Sequence, residues 1–165
     1  VDSTADDTYI DGLIQAARMH VESVTRRALV NQTWKLYLDY FTEYMRIPRA
    51  PLQSVDSIEY VDSDGVTKTL SSSVYTVDTD SEPGLIYLAY NQAWPTVRSI
   101  DKAVTITFVA GYGDDATDVP EPIRQAIMLL VGHLYENREI AAPVALQQVP
   151  MAFDALLAPY RVVRF

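Results

Sequence analysis

The hydrophobic period changes twice along this chain, and no other feature limits its fold as strongly. Between Asp6 and Leu29, the residues Ile10, Leu13, Ile14, Ala17, Val21 and Val24 recur at helical spacing. From Thr33 to Asp39 the period drops to two. Trp34, Leu36 and Leu38 face one way, and Lys35, Tyr37 and Asp39 the other. After Gly113 the longer period returns in Ile123, Ala126, Ile127, Leu130, Val131 and Leu134. Side chains repeating about every 3.6 residues line one face of a helix, whereas alternating ones line one face of a strand. The order is therefore helix, then strands, then helices.

Turn and cap signals mark the boundaries. Thr4 and Asp7 form a potential capping box ahead of the first helix, and acids crowd its first turn. Arg26 and Arg27 fall near its C-terminal end, where cations suit the helix dipole. Ser57–Asp62 and Val66–Leu70 flank Ser63-Asp64-Gly65, a hairpin signal. Val74–Asp78 and Leu85–Leu88 flank a second turn, Glu82-Pro83-Gly84. In Ala103–Val109, the side chains of Val104, Ile106 and Phe108 share a face. About six short strands linked by turns predict an antiparallel sheet or small barrel-like lobe.

Asp118 is the expected N-cap of the second helix, with Pro120 and Pro122 in its first turn and an end near Asn137. Gly132 weakens that helix by up to ~1 kcal/mol relative to alanine, unless another backbone packs against it. Ile140–Val149 reads as a loop, Pro150–Ala158 as a short last helix stopped by Pro159, and Tyr160–Phe165 as extended. The predicted fold is α+β. It is a small helical bundle, two main helices plus a short C-terminal helix, with an antiparallel β lobe inserted between the first and second helices. The whole of 1–165 is expected to form a single domain. Its helical part is 1–30 and 118–160, its β lobe 31–112 and its extended tail 160–165.

Charge and composition exclude several functions. The 22 acidic residues outnumber 13 basic ones, for a net charge of -9. A sequence-specific DNA binder usually carries a basic patch, and no basic run occurs here. An acidic surface either keeps the chain dispersed or forms a wall that DNA passes without sticking. The absence of cysteine excludes disulfides and thiolate metal sites. No apolar run approaches the roughly 20 residues of a membrane-spanning helix. The chain opens Val1-Asp2 without an initiator Met, so part of a native N-terminus is expected to be missing.

The sequence predicts no catalytic, metal or cofactor site. His133 and Glu136 lie three apart on a predicted helix, with Glu139 a turn further, but a metal site needs more ligands and His20 sits on another helix. Gly111-Tyr-Gly113 lacks the third glycine of a phosphate loop and is followed by Asp114-Asp115, so it reads as a turn. Asp62, Asp64, Asp78 and Asp80 do not have calcium-loop spacing and read as turn residues. No serine sits in a Gly-x-Ser-x-Gly elbow. Eleven tyrosines and two tryptophans suit protein contacts, and Tyr37, Tyr60, Tyr75, Tyr87 and Tyr90 are candidates for facing a neighbouring subunit. The tail, Tyr160 to Phe165, either frays or adds to a partner.

Several stretches together carry a resemblance. They are Leu13-Ile-Gln-Ala-Ala-Arg18, Glu22, Thr25-Arg-Arg-Ala28, Gln32-Thr-Trp34 and Leu38-Asp39. Ile47-Pro48, Pro51-Leu-Gln-Ser-Val-Asp-Ser-Ile58, Tyr60, Asp64-Gly65 and Trp94-Pro95 continue it. Phe108-Val-Ala-Gly-Tyr-Gly113, Val119-Pro120, Arg124-Gln-Ala-Ile127, Tyr135-Glu-Asn-Arg-Glu139 and Leu156-Leu-Ala-Pro-Tyr-Arg-Val162 complete it. In their order over nearly the whole chain, they resemble the head–tail connector (adaptor) proteins of long-tailed phages, prophages and gene transfer agents.

The resemblance implies a non-enzymatic structural subunit of a particle neck. It implies a closed, dodecameric ring between a portal protein above and a tail-completion or stopper protein below. DNA would pass non-specifically through the channel, with helices packed around it and no membrane or cofactor involved. Assembly would take place in the host cytoplasm. The portal contact would be the tail: Tyr160, Arg161, Val162, Val163, Arg164 and Phe165. Similar proteins carry more helical sequence before the region that starts here. The rival reading is a small carbohydrate- or ligand-binding β module using Trp34 and Trp94 as a platform. A third, a metal-dependent hydrolase, would use His133 and Glu136.

Overall fold

A computed structural model describes residues 6–136 and 151–162. It contains helix α1 (Asp7–Thr25), then strands β1 (Gln32–Leu38), β2 (Tyr44–Arg46), β3 (Leu52–Val61), β4 (Thr67–Thr69), β5 (Tyr75–Asp78), β6 (Leu85–Leu88) and β7 (Val104–Ala110). Helices α2 (Glu121–Glu136) and α3 (Met151–Leu157) follow. The fold is α+β, with the strands inserted between α1 and α2 as the change of period predicts.

The strands form two antiparallel sheets, ordered β1-β7-β3-β4 and β2-β6-β5. Register follows the apolar alternation. Trp34 lies opposite Phe108, Leu36 opposite Ile106 and Leu38 opposite Val104. Ile58 takes the other side of Ile106. In the smaller sheet Met45, Ile86 and Val77 make one cross-strand row. The sheets share a core in which Ile58, Ile106 and Phe108 meet Met45, Ile47 and Ile86. Fully burying each such side chain contributes about 1.5–3 kcal/mol. A second core joins the helices through Ala17, Val21, Ile123, Ala126, Leu130, Phe153 and Leu157.

The helix ends differ from the sequence expectation. Helix α1 stops at Thr25, not Leu29. Thr25 Oγ1 donates to the carbonyl of Val21 at 2.7 Å, and Arg26 takes a left-handed conformation (φ 60°). The chain then pairs with Ala50: Arg27 bridges it in parallel, and the Ala28 amide donates to its carbonyl at 2.9 Å. Arg27 is therefore a junction residue rather than a dipole charge. Asp6 occupies the N-cap of α1 without a side-chain cap bond. Thr4, and with it the expected capping box, lies outside the described residues.

Helix α2 starts at Glu121, so Asp118 is not its N-cap. The Asp118 carboxylate instead accepts the Asp115 amide at 3.0 Å and closes a 3-10 turn, Ala116–Asp118. The Pro120 carbonyl accepts the amides of Ile123 and Arg124, which makes Pro120 the cap and leaves Pro122 in the first turn. Strand β2 was not expected, and β3 begins at Leu52 rather than Ser57. Both shifts fall where polar and apolar residues do not alternate cleanly. Pro159 and Tyr160 continue α3 as a 3-10 turn, Ala158–Tyr160, so Tyr160 is not extended. The expected loop Ile140–Val149 lies outside the described residues.

Candidate functional site

The C-terminal tail leaves from the place where the helical and β parts meet, and Arg27 organises that place. Its position just after the left-handed turn at Arg26 points it back across the molecule, and only 5% of it is exposed. Nη1 donates to Glu82 Oε1 at 2.7 Å, and Nη2 donates to Oε2. Glu82 stands on the turn between β5 and β6, so this pair ties the smaller sheet to the end of α1. Nε donates to the carbonyl of Tyr160 at 2.7 Å. The guanidinium carbon lies 5.8 Å from the Tyr112 ring centroid and 6.0 Å from that of Tyr160.

The electrostatics follow from this geometry. Burial opposes the Arg27 charge, but hydrogen bonding to Glu82 and the nearby negative charge outweigh it, and its pKa rises. The same hydrogen bond holds the Glu82 carboxyl below the ordinary carboxylate range, against its partial burial. Burial pushes the Tyr112 phenol up.

Two further contacts fix the start of the tail. The Val162 amide donates to the carbonyl of Thr25 at 3.1 Å. Arg161 Nη2 donates to Asp154 Oδ1 at 2.6 Å. Tyr160, Arg161 and Val162 are thus brought together at the junction. Val163, Arg164 and Phe165 lie outside the described residues.

The other candidate chemistry disperses. His20 stacks on Phe153 with ring centroids 5.8 Å apart, so it packs α1 against α3. His133 and Glu136 are on α2, and Glu139 lies outside the described residues. Among the described residues no group of three or more His, Asp or Glu side chains could hold a metal ion. Asp62 pairs with Lys68 at 2.7 Å and accepts the amides of Val66 and Asp64. Asp78 accepts the Ser81 hydroxyl and the amides of Ser81 and Asp80. These bonds hold both carboxyls below their ordinary range, led by Lys68 for Asp62 and by the Ser81 hydroxyl for Asp78. Both aspartates close turns.

Gly111-Tyr-Gly113 leaves β7 and ties back to the segment after α1. Tyr112 donates to the Leu29 carbonyl at 3.3 Å, and Asn31 donates to the Gly113 carbonyl at 2.8 Å. Each tryptophan has an intramolecular partner against its ring. Trp94 stacks on Phe41 at 4.8 Å, and the Arg49 guanidinium lies 4.7 Å from the Trp34 centroid. The platform required by a carbohydrate-binding module is therefore not favoured. Tyr37, Tyr87 and Tyr90 are exposed, whereas Tyr60 and Tyr75 pack against the β core. The Arg27–Glu82 pair escaped sequence reading, because its partners lie 55 residues apart with no periodic pattern between them.

No protein-family model matches the chain, and no curated protein matches it significantly. Solved structures do. A chain from the neck of an empty gene transfer agent particle, computed with C6 symmetry, superposes with a TM-score of 0.81 at 27% identity. The match covers 100% of this chain and 83% of that one. A chain from the virion of a native gene transfer agent particle gives 0.81 at 26%, covering 100% and 82%. A chain from the neck of a native particle, computed with C12 symmetry, gives 0.79 at 25%, covering 95% and 84%. The likeness read from the dispersed sequence stretches is borne out over the whole length.

Proposed function

We propose that this chain is a structural subunit of a particle neck, of the head–tail connector type, and that it works as a member of a ring. The observation that carries this is the full-length likeness, at a TM-score of 0.81, to a gene transfer agent neck chain. The C6 and C12 symmetry of the matched necks supports a ring of identical subunits. Such a ring closes through two unlike, complementary faces on each subunit.

In this reading the ring is dodecameric and catalyses nothing. It joins a portal protein to a tail-completion or stopper protein, assembles in the host cytoplasm and lets DNA through its channel. The net charge of -9 suits passage of phosphates without adhesion. The chain acts as one connector domain, with 1–30 and 118–160 as its helical part and 31–112 as its β lobe. The tail, Tyr160 to Phe165, engages the portal. The bonds from Arg27 and Thr25 to its first residues give that tail a defined starting point.

Sedimentation velocity of the chain with its portal ring tests this. A truncation after Val162 leaves the Arg27 junction whole and removes only Val163, Arg164 and Phe165. The expected result is a heavier complex with the intact chain and its loss on truncation. A complex that survives truncation moves the portal contact elsewhere. No complex at micromolar concentration overturns the connector reading.

A further inference from the structure

The outward face of α2 carries apolar side chains that nothing in the described subunit covers. Met128 is 56% exposed and Leu129 is 39% exposed. One turn beyond Met128, Gly132 is also exposed, and a Cβ built there would meet no described atom within 4 Å. A glycine inside a helix is unfavourable unless a backbone must come close. Among the described residues no backbone does so. Met128 also walls a groove of about 450 Å³, together with Ile14, Leu29, Val119 and Ile127. Arg124 lines the same groove. Its Nη2 pairs with Glu121, but its buried Nε has no hydrogen-bond partner among the described residues.

We propose that this face, built on Ile14, Met128, Leu129 and Gly132, receives a second copy of the chain in the ring. The inference rests on the neck reading above and locates one of its two lateral contacts. Three observations favour a second copy. The matched neck chains, 83% and 84% of which this chain covers, come from structures with cyclic symmetry, and a subunit of such a ring presents two lateral faces. The face is apolar at its centre, as self-assembling interfaces are. The stripe of Met128, Leu129 and Gly132 carries no charge, and the two arginines lining the groove, Arg18 and Arg124, are paired with Glu22 and Glu121, which disfavours nucleic acid as the occupant. The neighbour supplies a backbone segment over Gly132.

The test uses the full chain with its portal ring. It reads ring formation by native mass spectrometry and folding by thermal unfolding. Gly132→Gln projects into open space and Met128→Asp replaces a side chain that is more than half exposed, so each subunit is expected to unfold within a few degrees of the unmodified chain. Ring formation is expected to fall at least about tenfold, the effect of losing one central interface contact. A photo-crosslinking amino acid in place of Leu129 then identifies the occupant, and an adduct of twice the chain mass is expected. Normal ring formation by both variants overturns the proposal. So does an adduct with the portal or another neck protein, or a product confined to one chain. If the unmodified chain forms no ring with its portal, the neck reading fails first and this inference falls with it.

Discussion

Arg27 and Glu82 stand 55 residues apart in the chain and form a two-pronged ion pair across the boundary between the helical and β parts. Arg27 is buried, while the Glu82 side chain is 43% exposed. Arg27→Met would remove the guanidinium and leave a carboxylate that water still reaches. The cost is therefore set below the ~3–5 kcal/mol of a fully buried pair, at about 1–3 kcal/mol. The loss of the Tyr160 carbonyl bond is included in that range. Glu82→Gln should cost at least as much, because it leaves the buried Arg27 charge without its counter-charge, although its amide oxygen still accepts one guanidinium bond. Urea unfolding of both variants checks the order.

The same pair sets an acid limit on stability. Glu82, Asp62 and Asp78 all have carboxyls held below their ordinary range in the folded chain. A depressed folded pKa contributes stability that is fully present above the unfolded value. It is lost as pH falls through the folded value. Stability should therefore be level from neutral pH down to about 5 and fall below about 4, where free carboxylates protonate. Glu82→Gln should flatten part of that fall. Arg27 and Lys68 are shifted upward, so their contributions fade only at strongly alkaline pH. Thermal unfolding from pH 3 to 8 measures the slope.

Hydrogen exchange should find the tail's first residues held. The Val162 amide donates to Thr25, and Tyr160 receives Arg27 through its carbonyl. The Val162 amide should exchange more slowly than a free chain end, which is open nearly all the time. Arg27→Met should raise its exchange rate, whereas Lys35→Ala, on the exposed side of β1, should not.

Much of this architecture was legible in the sequence because apolar burial leaves a periodic trace. The pairing of Trp34, Leu36 and Leu38 with Phe108, Ile106 and Val104 is the alternation itself, read on two strands. Strand β6, Leu85–Leu88, was read with its observed bounds. Strand β2 was not, because only Met45 of its three residues is buried, and one buried residue defines no period. The helix ends depended on tertiary bonds. Arg26 ends α1 by taking a left-handed conformation, and Ala50 captures the chain beyond it. The tail residues Tyr160, Arg161 and Val162 were singled out for their place in the chain. Their anchor, Arg27, reads in the sequence as a charge near a helix end and as part of Thr25-Arg-Arg-Ala28, neither of which points to Glu82 or Tyr160. Long-range pairs of this kind are set by the packed fold, and local sequence carries no record of them.

Two glycines should respond in opposite directions. Gly111 has φ 151°, and a Cβ there would meet the Asn31 nitrogen at 2.4 Å. That contact is backbone, held by the Asn31 amide bond to Gly113, so neither side can yield easily. Gly111→Ala should destabilise the chain by about 1–3 kcal/mol through strain and displacement. Gly132 lies within α2 with open space around its missing side chain. Gly132→Ala should instead stabilise the isolated subunit by up to about 1 kcal/mol, the helix-propensity difference between the two residues. Urea midpoints of the two variants, measured on the monomer, decide this. A loss of stability at Gly132 comparable to that at Gly111 would mean that another part of the same chain already packs over α2, and that no neighbour is needed to explain the glycine.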